Sequence, residues 1–199
     1  MKKAFVLAIM SIMALELVAQ LNPLLERAKS QYAFSSWEGR TARRYPQLLK
    51  EWNIPLLMFS TNEMELANWN SSTQEKSCGK GRIPREEVAT IINTNGHTLV
   101  RISSTVAASQ KMAHEDIIER LAMTTCPLPY TMSTKGIGDH SFCLSIPDSG
   151  MGAWIFSRNN VTVAIYTYSS LFSAESIARQ IDADILKRSL ETSSQSDGK

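Results

Sequence analysis

Residues 153–168 read AWIFSRNNVTVAIYTY, and the fold class follows from this stretch. Apolar side chains at 161, 163 and 165 alternate with the residues between them, which is the period of an antiparallel strand with one buried face. Asn159 and Asn160 tolerate the positive φ of a two-residue hairpin turn. The sequence therefore predicts a β-hairpin with strands at 153–157 and 161–168.

Further strands extend this hairpin into a sheet. Residues 141–146 follow a glycine-containing turn and precede the hairpin, so 141–168 is predicted to be a three-stranded meander. Residues 97–108 follow the turn dipeptide Asn95-Gly96 and are typical of one long strand. We expect an antiparallel sheet made of strand 97–108 plus the meander 141–168.

Three helices are predicted around this sheet. Ser109 is the N-cap of a helix with apolar residues at 113, 117 and 121, and Ser173 is the N-cap of a last helix with isoleucines at 177, 181 and 185. Pro84, Glu86 and Glu87 favour a helix start before an apolar stripe at 88, 91 and 92. These elements predict an α+β fold in which the helices pack on one face of the antiparallel sheet.

The chain divides at a polar stretch, residues 68–81, which is predicted to be a loop. Residues 20–83 are predicted to form an N-terminal segment of helical and irregular structure. This segment begins with a helix after Asn22-Pro23. Residues 84–190 form the α+β domain, and the polar residues 191–199 form a disordered tail. The 199 residues suit one such domain and not two large ones.

The beginning of the chain has the pattern of a signal peptide. Lys2 and Lys3 precede an apolar run from 4 to 15, and Ala19 offers a cleavage point before Gln20. This run is shorter than the ~20 residues that a membrane-spanning helix needs. We expect residues 1–19 to be a signal peptide, which leaves a periplasmic or secreted protein without a membrane span after cleavage. The alternative is that these residues form an amphipathic helix of a cytosolic domain.

Composition and charge exclude several function classes. The 21 basic and 19 acidic residues give a formal net charge of +2, which is too small to create the field of a nucleic-acid-binding protein. The apolar fraction, 43%, is too high for a disordered chain. No spacing of cysteine, histidine or acidic residues suits a metal ion, and no phosphate-binding loop is present, so we expect no metal and no cofactor.

The residues nearest to a catalytic set are Asp139, His140, Ser141 and Cys143. In a strand, Ser141 and Cys143 face away from His140, and working triads are normally assembled from separated segments. His114 lacks the second histidine of an HExxH motif, and we expect it on the exposed side of its helix. The sequence therefore assigns no catalytic and no metal-binding residue.

The three cysteines are compatible with export, because an oxidising compartment should pair two of them. We predict a disulfide between Cys126 and Cys143, since Cys126 ends a predicted helix and Cys143 lies in the next strand. Closing a loop of that size stabilises a protein by about 3 kcal/mol. Cys78 is then left over in the polar loop. Three reduced thiols are the alternative.

Three runs in the second half resemble one kind of protein. They are GIGDHSF at 136–142, AWIFSRNNVTV at 153–163 and SAESIA at 173–178. With them, the region 136–186 resembles small bacterial exported or lipoprotein α+β domains of unknown function, which commonly have Gly-Asn where this chain has Asn159-Asn160. The resemblance implies the fold and an export route, and it implies no catalytic residue.

Residues 35–81 have weak periodicity but are rich in aromatic and arginine side chains, including Trp37 and Trp52. Such side chains on loops are enriched at recognition surfaces. We therefore predict a recognition surface that is formed by Trp69 and the basic cluster Arg40, Arg43 and Arg44. The alternative is that this half of the chain extends the sheet and covers an edge strand.

Together these features favour an exported, non-catalytic binding or accessory protein that recognises a protein partner. One alternative is a subunit of an envelope or secretion assembly. The other is an exported enzyme that uses Cys143 or Cys78 as its nucleophile. We expect no nucleic acid among the partners.

Overall fold

The computed structural model of the chain describes residues 23–37, 45–55, 67–75, 85–93, 95–123, 130–146 and 151–191. Helix α1 covers residues 23–31, and a short 3-10 helix follows at Phe34–Ser36. The later helices are α2 (Gln110–Ala122) and α3 (Ala174–Glu191). The strands are β1 (Ala67–Glu75), β2 (Arg85–Asn93), β3 (Thr98–Val106), β4 (Thr131–Met132), β5 (His140–Ser145), β6 (Met151–Arg158) and β7 (Val161–Tyr168). The predicted signal peptide and residues 192–199 lie outside the described residues.

The described strands form one antiparallel sheet in the order β1-β2-β3-β7-β6-β5-β4. After β3 the chain passes through α2 to the far edge of the sheet and returns through β5, β6 and β7 until β7 pairs with β3. The hairpin between β6 and β7 turns at Asn159, whose φ is 55°. The predicted α+β fold and its antiparallel sheet are confirmed.

The helices lie on opposite faces of the sheet, so the predicted packing on one face is wrong. Trp154 and Phe156 of β6 pack in a core with α3, whereas Ala153 and Ile155 of the same strand pack in a second core with α2. Each central strand is therefore buried on both sides. The near-continuous apolar run AWIF is typical of a strand that is covered on both faces, not of one with a solvated face.

Two predicted elements of the first half are also corrected. The helix expected after Pro84 is strand β2, in which Ala89 and Ile91 alternate into the core on the α3 side. Its β-branched residues suit a strand, and Asn95-Gly96 turns the chain directly into β3. The loop expected at 68–81 contains strand β1, which pairs with β2 along nine residues. On the β3 side the sheet therefore has two strands that the sequence does not predict, and β4 is a third at the opposite edge.

The segment before β1 belongs to the same two cores. Trp37, which follows the 3-10 helix, is fully buried against the α2 side, and Trp52 is buried on the α3 side. Trp52 also donates a hydrogen bond from Nε1 to the Asp184 carboxylate at 2.8 Å. Neither tryptophan contributes to a recognition surface, and residues before and after position 84 share one pair of cores.

The helix starts follow the predicted capping. The Ser109 hydroxyl accepts a hydrogen bond from the amide of Met112 at 3.1 Å, and the Ser173 hydroxyl accepts one from the amide of Ser176 at 3.2 Å. Each cap satisfies an amide that has no partner within its helix and stabilises the fold by about 1 kcal/mol.

Candidate functional site

The face of the sheet that α2 covers is longer than the helix. Thr162, near the start of β7, donates a hydrogen bond to the carbonyl of Ala113 at 3.0 Å, so the first half of α2 lies over the start of that strand. The 13 residues of α2 span about 20 Å, whereas the eight residues of β7 span about 26 Å. The end of the strand therefore projects beyond the helix.

A cleft of about 490 Å³ lies at this uncovered end. Residues from the end of α2, from Tyr130 and from strands β5, β6 and β7 line it. Most are apolar or aromatic, and they are Met123, Tyr130, Leu144, Ile146, Met151, Ala153, Tyr166 and Tyr168, together with Gly152, Thr167 and Arg120. Its size and its few polar groups are typical of a small-molecule pocket.

Arg120 is the charged residue of the cleft lining and is bound on several sides by the protein. Its Nε donates to Asp116 of the same helix at 3.0 Å, and one terminal nitrogen donates to Glu86 of β2 at 3.1 Å. The hydroxyls of Ser103 and Thr105 in β3 accept further hydrogen bonds at 2.6 and 2.9 Å. Arg120 thereby ties the end of α2 to β2 and β3.

The electrostatics of the cleft follow from this cluster. Burial lowers the pKa of Arg120, but the carboxylates of Asp116 and Glu86 outweigh that effect and hold the pKa above its ordinary value. Burial raises the pKa of Tyr166, and the positive charge of Arg120 opposes that rise. At neutral pH the cleft thus contains a charged but compensated guanidinium and a neutral phenol.

A second buried arginine, Arg158, lies on the α3 side at the β6–β7 turn. It forms a bidentate ion pair with Asp182 of α3, with both nitrogen–oxygen distances at 2.7 Å. It also donates to Asp139 at 3.1 Å, and the Tyr45 hydroxyl donates to the same carboxylate at 2.6 Å. Burial and the hydrogen bond to Asp139 raise the pKa of Tyr45 to about 12.

The turn residues next to Arg158 hold the segment 45–55 in place. The Asn160 side chain accepts from the amide of Leu49 at 2.9 Å and donates to the Leu49 carbonyl at 2.8 Å. The Asn159 side chain donates to the carbonyl of Gln47 at 2.9 Å. This network joins a turn, a helix and a distant segment, so we assign it to the stability of the fold.

Of the predicted recognition residues, only Trp69 lies among the described residues. Trp69 lies in β1, the edge strand of the sheet, opposite Ile91 of β2. Arg40, Arg43 and Arg44 lie outside the described residues. Strand β1 agrees with the alternative prediction, that this half of the chain extends the sheet. The recognition surface itself stays a prediction.

The predicted disulfide finds no support. Cys143 in β5 is a free thiol that packs beside the core on the α3 side, with its sulfur 3.5 Å from the Thr131 hydroxyl. Cys126 and Cys78 lie outside the described residues. Because Cys143 carries a free thiol in this structure, the predicted pairing of Cys126 with Cys143 is not supported.

His114 is buried, so the prediction that it lies on the exposed side of α2 is wrong. Its ring meets the ring of His140 edge-on at 4.6 Å, and His140 stacks on Trp37 at 4.8 Å. The buried face of α2 is wider than its apolar stripe, because the helix packs against both the sheet and the segment that carries Trp37. Asp139, the acidic residue of the set considered for catalysis, is bound by Arg158 at 3.1 Å.

Within the described residues, no group of three or more metal-ligating side chains is close enough to hold an ion. None of the described helices is both long and apolar enough to cross a membrane. No protein-family model, curated protein or solved structure matches this chain. The cleft is therefore the feature of this structure that bears on function.

The sequence prediction missed the cleft residues, although a partial signal was present. Arg120 follows Asp116 by four positions, which is the spacing of an ion pair on one helix face, and it lies beside the buried Ile117. Tyr130, Tyr166 and Tyr168 come from two separate segments, and only the sheet brings them to one place. The erroneous helix at β2 also concealed that Glu86 faces α2.

Proposed function

We propose that this protein is an exported, non-catalytic binding protein that holds a small, largely apolar molecule in the cleft beyond α2. The observation that carries the proposal is the cleft of about 490 Å³ between the end of α2 and strands β5, β6 and β7. Small-molecule pockets commonly enclose about 300–1,000 Å³ and combine apolar walls with a few polar groups. The cleft combines both features.

The chemistry of the lining favours binding over catalysis. Its polar side chains are the compensated guanidinium of Arg120 and the three tyrosine hydroxyls. A general base or nucleophile needs a group that exchanges a proton near neutral pH. Tyr166 is a poor candidate for that role, because burial raises its pKa above the ordinary value of a tyrosine.

Export is supported by the sequence alone. The pattern of two lysines, an apolar run and Ala19 is typical of a signal peptide, and the resemblance of residues 136–186 to bacterial exported domains implies the same route. A small apolar molecule in an extracytoplasmic compartment needs a carrier or a receptor, and a single cleft would serve either purpose.

The test is fluorescence titration with the neutral dye N-phenyl-naphthylamine, whose emission rises in an apolar site. We expect saturable binding to the protein and a loss of roughly tenfold in affinity for Met151→Glu, because a charge in the cleft must be desolvated when the dye enters. Met151 is 40% exposed, so the variant should fold.

Met132→Glu is the matched control. Met132 is 43% exposed and also lies in a strand, but it does not line the cleft. The control should bind the dye as the unchanged protein does. Equal binding by both variants, or no saturable binding by the unchanged protein, would contradict the proposed function.

A further inference from the structure

We infer that the cleft selects an uncharged, ring-bearing molecule and excludes the same ring system when it carries a negative charge. This inference rests on the proposed function and concerns its ligand class. A buried arginine in an apolar pocket usually indicates an anionic ligand, since a guanidinium binds carboxylates and phosphates well. The contacts of Arg120 lead to the opposite conclusion.

The guanidinium of Arg120 is occupied by the protein. All three of its nitrogens donate to protein oxygens, namely those of Asp116, Glu86, Ser103 and Thr105, at distances between 2.6 and 3.1 Å. The Arg120 side chain is only 9% exposed. These bonds use four of the five guanidinium N–H groups, so an anion that formed the usual bidentate pair would have to displace at least one of these partners.

The charge balance around the cleft is also unfavourable for an anion. Two carboxylates, those of Asp116 and Glu86, surround the single guanidinium of Arg120. Arg101 lies opposite Tyr166 on the neighbouring strand, but it is exposed, so solvent and salt screen its charge. Among the described residues, a ligand anion would therefore meet no buried positive charge that is uncompensated, and it would still lose its hydration.

The walls favour a ring. Tyr130, Tyr166 and Tyr168 can pack against an aromatic ligand, and the sulfur atoms of Met123 and Met151 make favourable contacts with ring edges. The tyrosine hydroxyls offer neutral hydrogen-bond donors and acceptors. This set of groups fits an uncharged aromatic molecule with a hydroxyl or carbonyl substituent.

Two dyes with the same ring system test the inference. N-phenyl-naphthylamine is neutral, and anilinonaphthalene sulfonate is its sulfonated counterpart. We expect the neutral dye to bind at least about tenfold more tightly at low ionic strength, because the sulfonate must be desolvated beside a compensated charge cluster. This comparison uses the unchanged protein and does not depend on any variant.

The variant Glu86→Gln tests the physical cause. It removes one of the two carboxylates and makes the cluster more positive, so affinity for the sulfonated dye should rise by roughly threefold to tenfold while affinity for the neutral dye stays unchanged. Glu87→Gln is the matched control. It makes the same change of net charge, but Glu87 accepts a hydrogen bond from the amide of Ile54 on the α3 side.

The outcomes separate this inference from the proposed function. If neither dye saturates, the proposed function fails and the inference fails with it. If both dyes bind equally well, or the sulfonated dye binds better, the inference is overturned and the binding function stands. If Glu86→Gln and Glu87→Gln raise the affinity for the sulfonated dye equally, the cluster around Arg120 is not the cause and the inference is overturned.

Discussion

Among the described residues, each face of the sheet has one arginine that is paired with two carboxylates, and the two arginines differ in their surroundings. Arg158, on the α3 side, binds a helix carboxylate, a loop carboxylate and the segment 45–55, and it borders a smaller cleft of about 350 Å³ beside α3. Arg120, on the α2 side, binds a carboxylate of its own helix and groups of two strands, and it also lines the cleft. The same side-chain chemistry thus joins α3 to a distant segment on one face and borders the larger, mostly apolar cleft on the other.

The lengths of the covering elements explain the difference. The 18 residues of α3 span about 27 Å, enough to cover strands of eight residues, and residues 49–54 add a second layer on that side. The 13 residues of α2 span about 20 Å. How far each helix extends along the strands therefore determines whether the strand ends are covered, and the larger cleft lies where α2 leaves them uncovered.

The largest expected effect is the loss of Arg158. In Arg158→Leu, Asp139 and Asp182 would remain buried without their counter-charge, and we expect the free energy of unfolding to fall by about 3–5 kcal/mol. Urea denaturation followed by circular dichroism measures this value. Arg179→Leu, an exposed arginine of α3, is the control and should change it by no more than about 0.5 kcal/mol. A smaller loss for Arg158→Leu than for Arg120→Leu would contradict the comparison.

Arg120→Leu should cost less, about 2–3 kcal/mol, because Glu86 is 18% exposed and can turn toward water when its partner is removed. The same urea titration measures the loss. The neutral dye should still bind to this variant within a few-fold of the unchanged protein. Loss of neutral-dye binding by a folded Arg120→Leu would show that the guanidinium itself contacts the ligand.

The raised pKa of Tyr45 leads us to expect that the free energy of unfolding falls at alkaline pH. Its pKa is raised to about 12 in the folded protein, so its protonated hydroxyl stabilises the fold fully below the ordinary value near 10, and that contribution is lost as pH rises toward 12. With allowance for its partial exposure, the unchanged protein should lose about 1 kcal/mol more than Tyr45→Phe between about pH 9 and about pH 11. Tyr168→Phe, at an exposed tyrosine, should retain the full loss.

The smallest expected effect concerns an exposed ion pair on α3. Hydrogen bonds from Lys135 and Arg179 hold the pKa of Glu175 below its ordinary value, so this carboxylate stabilises the fold above that value, and the contribution is lost as pH falls. Because the pair is exposed, Glu175→Gln should lower the free energy of unfolding by only a few tenths of a kcal/mol. Thermal unfolding at neutral pH checks this, and a loss as large as that of Arg120→Leu would contradict the distinction between buried and exposed pairs.

The sequence predicts correctly those helices and strands that are marked by turn residues, caps or alternation within a few positions. The hairpin at Asn159-Asn160, the capped starts of α2 and α3, and strand β3 were all derived from turn residues, caps and alternation. Strand β2 was mistaken for a helix because its stripe at 88, 91 and 92 also fits a helical period, while the turn at Asn95-Gly96 favoured a strand. Short apolar runs leave that ambiguity, and pairing with β1 and β3 resolves it.

Local patterns could not show which aromatic residues of the first half are exposed. Trp37 and Trp52 look like recognition residues in a stretch of weak periodicity, yet each is buried in one of the cores, because the segment before β1 packs across the sheet. Periodicity indicates a regular helix or strand that packs on one face. It gives no signal for an irregular segment that packs over a sheet. The same limit concealed the burial of His114 beneath Trp37.

The sequence by itself determined that antiparallel strands and capped helices form, because turns, caps and alternation are interactions between residues close in the chain. The tertiary structure decided that the helices take opposite faces, that Glu86 and Arg120 meet, and that a cleft opens beyond α2. Those outcomes depend on the relative lengths of α2 and β7 and on contacts between residues more than thirty positions apart, as in the pairing of Arg120 with Glu86. No local pattern encodes such distances, since they are set only when the whole sheet has assembled.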